Sequence, residues 1–184
     1  GFSTKQWHRS IDMLKENDLR VKTYLLFKPP FMSEGDALEL TSKWISEVAP
    51  YSDDISVNPM NIQRRTIVDR LYRNREYRTP WLWSLVEMLE RTHADITESK
   101  ARVIVHPTAG GKLRGAHNCG SCDVEVVAAI ERYSVSADIR EFADLDCECK
   151  GVWRAEVDSD LWLPAQMGTG SNRRGSAVDL ARAP

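Results

Sequence analysis

The chain lacks most features that would announce a function at a glance. Among its 184 residues no apolar run approaches the roughly 20 residues that span a bilayer, so no helical membrane partner is expected. The opening residues show no basic-then-apolar secretory pattern, and the cytoplasm is the expected compartment. Net charge is only -2, so no global imbalance points to nucleic acid or lipid, and partners must be argued from local features. No internal repeat is visible. Cysteine is scarce, with four in the whole chain and none before Cys119. In a cytoplasmic setting, short-spaced pairs of thiols point to metal or redox work rather than to structural disulfides.

What is present is a globular balance. Apolar residues make up 42% and charged residues 28%, enough to fill the core of one domain, or one and a part. Ser3 with Gln6 reads as a capping box for a helix over about 4–16, with Trp7, Ile11 and Leu14 on one face. "VKTYLLFKPPF" reads as a buried strand closed by two prolines. Ser33 caps a second helix with Glu34 and Asp36 in its first turn. "DDISVNPMNIQ" is a second strand and loop, and "RRTIVDRLYRN" a third helix. Thr79-Pro80 is the expected N-cap and first position of a fourth helix, and "ARVIVHP" is a third strand.

Three rounds of helix and strand over residues 1–107 are the signature of a parallel α/β sheet, open or barrel. Three strands leave a barrel open at its edges. That, and a first residue other than Met, leads us to expect a fragment of a longer protein. From Thr108 the character changes: a Gly-rich basic loop, a helix at "VEVVAAIERYS", another at "ADIREFADL", and a final strand at "KGVWRAEV". Residues 108–163 are read as a small Cys-rich α+β extension, and 164–184 as a disordered tail.

The four cysteines stand as "HNCGSCD" and "DCECK": C-x2-C, 24 residues, then C-x-C. Two residues between thiols let both face one ion, and a second pair completes a tetrahedron of sulfur. Cys119, Cys122, Cys147 and Cys149 are therefore the candidate metal ligands. Zinc and an iron–sulfur cluster both accept four thiolates, and spacing leaves both open. His117 could replace a thiolate or support one; its ordinary reading is a surface loop histidine.

In α/β sheets, ligands meet the loops at the carboxyl ends of the strands. Here those loops read "KPPFMSE", "NPMNIQ" and "HPTAGGKLRG". They bring Lys28 and Glu34, then Asn58, Asn61 and Gln63, then His106, Lys112 and Arg114 to one end of the sheet. Each residue alone could be a solvated helix-start or loop side chain; three consecutive loops of this kind suggest a ligand. Lys112 and Arg114, in a glycine-rich loop, suit phosphate contacts to RNA. Arg64, Arg65, Arg70, Arg73, Arg75 and Arg78 read either as a solvated face or as an RNA-backbone face.

Taken together, "VKTYLLFKPPFMSEGDAL", "ISVNPMNIQ", "YRTPWLW" and "HNCGSCD…DCECK" resemble the archaeal archaeosine-biosynthesis radical SAM family, RaSEA, related to the Elongator catalytic-subunit group. The resemblance covers about residues 1–163. It implies a partial TIM-type barrel around a [4Fe–4S] cluster and S-adenosylmethionine. It implies a tRNA substrate carrying a lysine-modified 7-cyano-7-deazaguanine in the D-loop, converted to archaeosine by radical carbon–nitrogen cleavage, with a lysine-adding transferase subunit as partner. It makes Lys28, Glu34, Asn58 and Gln63 candidates for cofactor or substrate contact. The family's C-x3-C-x2-C cluster motif is absent from this sequence. The chain is therefore expected to be a C-terminal part that does not turn over alone. The competing readings are a non-catalytic zinc-binding module for RNA or a partner protein, and another radical SAM activity on the same framework.

Overall fold

The computed structural model describes residues 3–159; the expected tail lies outside the described residues. Helix α1 (Thr4–Lys15) begins with the anticipated capping box, Ser3 and Gln6 each bonding the other's backbone amide. Strand β1 (Lys22–Phe27) follows, then α2 (Glu34–Val48), capped by Ser33 through the Asp36 amide. Strand β2 (Asp54–Pro59) leads to α3 (Ile67–Arg73), and α4 (Leu82–Ser99) to β3 (Arg102–Val105). Helices α5 (Asp123–Ser136) and α6 (Cys149–Val157) complete the described chain.

The three strands form one parallel sheet in chain order β1-β2-β3, with Lys22 opposite Asp54 and Asp54 opposite Arg102. Period-two alternation puts Phe27, Ile55, Val57, Val103 and Val105 on one face, all buried. Helices α2 and α4 cover that face, packing on each other through residues such as Ile45 and Leu85. The other face is different. Tyr24 is 66% and Leu26 51% exposed, so β1, expected as a fully buried strand, is buried on one side only. Parallel strands are ordinarily covered on both faces, and no described element covers this one.

Three further expectations fail in informative ways. The fourth helix starts at Leu82 with Trp81 as its N-cap, rather than at Thr79-Pro80. The Trp81 amide donates to Glu34 Oε1 at 2.9 Å, so a carboxylate from α2 fixes the helix start. Thr79 instead bonds the His117 ring. "KGVWRAEV", expected as a strand, is the body of α6. Cys149, Trp153 and Glu156 recur at helical spacing and are all buried, and Trp153 Nε1 donates to Ser84 Oγ on α4 at 2.8 Å. "ADIREFADL" yields a single 3-10 turn over Ile139–Phe142 rather than a helix. One continuous apolar core runs from Phe27 through Leu89 and Tyr133 to Trp153, spanning both the sheet layer and the Cys-rich extension.

Candidate metal centre

The two cysteine pairs are brought together by the starts of two helices. Cys122 is the N-cap of α5 and Cys149 the first residue of α6, so both helix dipoles favour negative charge at the thiols. The loop before α5 is tied into a tight knuckle. Buried Asp123 accepts from the Asn118 amide at 2.9 Å and the Gly120 amide at 2.7 Å. Gly120 has φ +96°, a conformation that side chains rarely adopt. Gly115 is required for a different reason: a Cβ there would stand 2.2 Å from Ala109 O.

All four sulfur atoms lie within 4.8 Å of one another. Cys119 and Cys147 are 3.7 Å apart, as are Cys122 and Cys149, well beyond a disulfide of about 2.05 Å. Four sulfurs about 2.3 Å from one ion at tetrahedral corners lie about 3.8 Å apart. The donor set therefore fits a single ion. It does not fit a four-iron cluster, which must hold its ligands apart by the width of its own metal–sulfide cube.

The surroundings supply donors to sulfur. Trp83 Nε1 lies 3.1 Å from Cys149 Sγ and Asn118 Nδ2 3.3 Å from Cys122 Sγ. Without an ion, burial pushes the Cys122 thiol up to about 11 and raises Cys149 as well. Burial acts on Cys119 too, but the amides of Ser121 and Cys122 and the neighbouring thiols outweigh it, leaving that thiol lowered to about 7. A divalent cation would reverse the effect of burial by binding the thiolates directly.

His117 is neither a ligand nor a surface residue. It is buried, with Nδ1 3.0 Å from both Gly115 O and Thr79 Oγ1. The carbonyl can only accept, so Nδ1 carries the proton. Burial first, then the neighbouring Arg78 guanidinium, lowers its pKa and keeps the ring neutral. Arg78 is itself buried, lies 3.8 Å over the Trp81 ring, and donates to Thr79 O and His117 O.

The residues at the strand ends separate into two groups. Lys28 and Glu34 are buried against each other, with Nζ and Oε2 2.5 Å apart. Glu34 Oε1 also accepts from Trp81 N and Ser84 Oγ, while Lys28 lies 3.7 Å from Glu156 of α6. Glu156 accepts in turn from Trp81 Nε1 at 2.7 Å. Their contacts join α2, α4 and α6 inside the protein. Asn58 and Gln63 are exposed and bond only locally, to Ser56 O and Asn61 Oδ1. Lys112 is exposed. Arg114 reaches Ile62 O at 3.1 Å and Asp69 at 2.7 Å, pinning the glycine-rich loop to α3. Asn118, Asp123, Trp83 and Glu156 were not singled out from the sequence. The first two lie inside "HNCGSCD", where knuckle amides need acceptors; nothing local marks Trp83 or Glu156.

Among known proteins, the chain is 35% identical over 158 residues to archaeosine synthase subunit beta of Methanosarcina acetivorans, covering 86% of the chain and 45% of that protein. It is 38% identical over 162 residues to archaeosine synthase subunit beta of Thermococcus kodakarensis, covering 88% of the chain and 49% of that protein. An uncharacterized protein of Methanocaldococcus jannaschii is 28% identical over 161 residues. The chain thus spans about half the length of the curated relatives it matches, 43% to 49%. A scan against protein-family models found no match, and no solved structure matches the chain.

Proposed function

We propose that this chain serves archaeosine formation in tRNA, as part of a radical SAM enzyme. The observation that carries the reading is the similarity to two archaeosine synthase beta subunits over 86% and 88% of the chain. The parallel order β1-β2-β3 supports it, since successive units of a TIM-type barrel follow one another in this way. So does the open sheet face bearing Tyr24 and Leu26, which would look into such a barrel. Asn58 and Gln63, exposed at the carboxyl end of β2, are the polar groups this chain would offer to a cofactor or substrate there.

In this reading the whole enzyme removes a lysine carbon skeleton from the modified deazaguanine base, leaving the formamidine of archaeosine, after a lysine-adding transferase has supplied the substrate. A [4Fe–4S] cluster with S-adenosylmethionine would supply the radical. The cysteines of this chain do not fit that cluster, so its contribution is the sheet, the strand-end loops and the extension that braces them. The test is the full-length protein with its transferase, under anaerobic reducing conditions, on tRNA carrying the lysine-modified base. Mass spectrometry of the nucleosides should find archaeosine; persistence of the lysine adduct overturns the assignment.

The four thiolates hold a single zinc in a structural role. The 3.7 Å sulfur spacing supports one ion, and four protein ligands leave no position for water or substrate. Elemental analysis and absorption of the anaerobically purified chain test this. One zinc per chain without absorbance near ~400 nm is expected. Iron with sulfide and a brown chromophore would overturn it.

A further inference from the structure

Residues 64–78 hold six arginines against two acids, in a chain whose net charge is -2. The structure sorts the six by what they touch. Arg78 is buried beneath the knuckle. Arg73 pairs with Asp69 at 3.2 Å. Arg64, Arg65, Arg70 and Arg75 are exposed, and among the described residues their guanidinium groups have no ion pair or hydrogen bond. Unpaired charges at this density repel one another, and a solvated face would ordinarily mix both signs.

The acid at the centre of this group does not cancel it. Asp69 accepts from Arg114, from the Arg65 amide and from Arg73. Those donors, Arg114 foremost, hold its carboxyl well below the usual range. Its negative charge is matched inside the cluster, leaving Glu76 as the other acid of the segment.

The free arginines have a shape to act on. Arg65, Thr66, Asp69, Arg70, Arg73 and Asn74 line an open groove of about 500 Å³. Ile67 is the one large apolar residue on its wall, whereas a protein-docking site would be expected to offer an apolar centre to desolvate. Planar guanidinium groups match phosphate oxygens in pairs. The groove also stands at the right end of the molecule. It follows the carboxyl end of β2, and Arg114 fastens to it the loop that follows β3, which carries exposed Lys112. That is the end where α/β sheets meet their ligands.

From this we infer that the α3 groove binds the phosphodiester backbone of RNA. The inference rests on the tRNA reading above and deepens it: the surface would hold the substrate's backbone, without reading bases, beside the strand-end loops. Such contacts add affinity by releasing counterions, so binding should weaken steeply with salt.

The test is fluorescence anisotropy of a labelled tRNA transcript with the full chain across a salt series. It compares the wild type, an Arg65→Gln/Arg70→Gln variant, and a Lys5→Gln/Arg9→Gln variant that makes the same charge change on α1. Both pairs are exposed, so the melting temperature should not move. The groove variant should bind about tenfold or more weakly, with the slope of log K against log salt reduced by about two, one for each lost phosphate contact. The α1 variant should match the wild type. Equal weakening of both variants, or of neither, overturns the groove while leaving the tRNA reading intact. A wild type that retains no tRNA at low salt overturns the groove as well. Tight tRNA binding through the groove, in an enzyme that makes no archaeosine, would sink the reaction assigned above and leave this surface standing.

Discussion

The sheet layer and the Cys-rich extension share one core, yet they are held by different forces. In the layer, Phe27, Ile55, Val57, Leu85 and Leu89 are all fully buried, and regular backbone pairing comes with apolar burial. Between β3 and α5 there is no regular element, and the buried polar groups there and at the first position of α5 include His117, Asn118 and Asp123. Each of those must find a hydrogen-bond partner, because an unpaired buried polar group costs about 1–3 kcal/mol. The knuckle is thus polar, closely satisfied and short of apolar contacts of its own. With an ion on its thiols, as proposed above, such a segment would lean on that ion, whereas the layer would not.

The largest expected effect comes from removing that ion. A structural zinc contributes on the order of 10 kcal/mol in small domains, so a strong chelator, or Cys122→Ser with Cys149→Ser, should unfold the knuckle and α6. Hydrogen exchange read by mass spectrometry should show residues 108–122 and α6 losing protection while β1, β2, β3 and α5, which shares their core, keep most of theirs. Loss spread evenly over both regions would mean that the knuckle and the sheet layer unfold as one unit. Unchanged protection would mean the thiols hold nothing of consequence.

A smaller effect should come from the polar hub that couples the regions. Glu34 is buried and bonds Lys28, Trp81 N and Ser84 at once, while Lys28 leans toward Glu156 of α6. Glu34→Ala would leave a buried ammonium with one distant partner and orphan an amide at the start of α4. Breaking one partner of a buried pair costs about 3–5 kcal/mol. Urea unfolding should register a loss of that order, with protection reduced in α2, α4 and α6 together. A loss below about 1 kcal/mol would mean that water reaches Lys28 and that the hub does not couple the two regions.

This contrast also explains what could be read in the sequence. Patterned burial was legible: the three strands, α2, α3 and α5 stand where alternation and capping residues suggested. The thiol cluster was legible because two tight pairs leave few alternatives. The misses share a cause. Trp153 and Glu156 lie in "KGVWRAEV", whose valines and tryptophan suggest a strand, and only their tertiary partners Ser84 and Trp81 impose the helix. The start of α4 departs from the Thr79-Pro80 signal because Glu34, 47 residues upstream, holds its first amide. Lys28 and Glu34, read as strand-end residues, lie buried against each other, and nothing local reveals that Glu156 of α6 returns beside them.

The smallest expected effect sharpens the comparison within a third, minor unit. Helix α3 has its own small core of Ile62, Val68, Leu71 and Tyr77, and Asp69 beneath it gathers Arg73, Arg114 and the Arg65 amide. Those partners lower its pKa in the folded state. The unfolded chain therefore takes up a proton at Asp69 first, below about pH 4. Stability from these bonds is complete above that pH and fades as pH falls further. Asp69→Asn keeps the shape but removes the charge, so its melting temperature should lie below the wild type's at pH 7 and approach it on acidification. Exchange should quicken only in α3 and in the loop that Arg114 pins, with α4 and α6 unaffected. A deficit that stays constant from pH 7 to pH 3 would assign Asp69 a packing role instead. Either outcome tells whether this unit is fixed by charge, as the hub is, or by shape, as the sheet layer is.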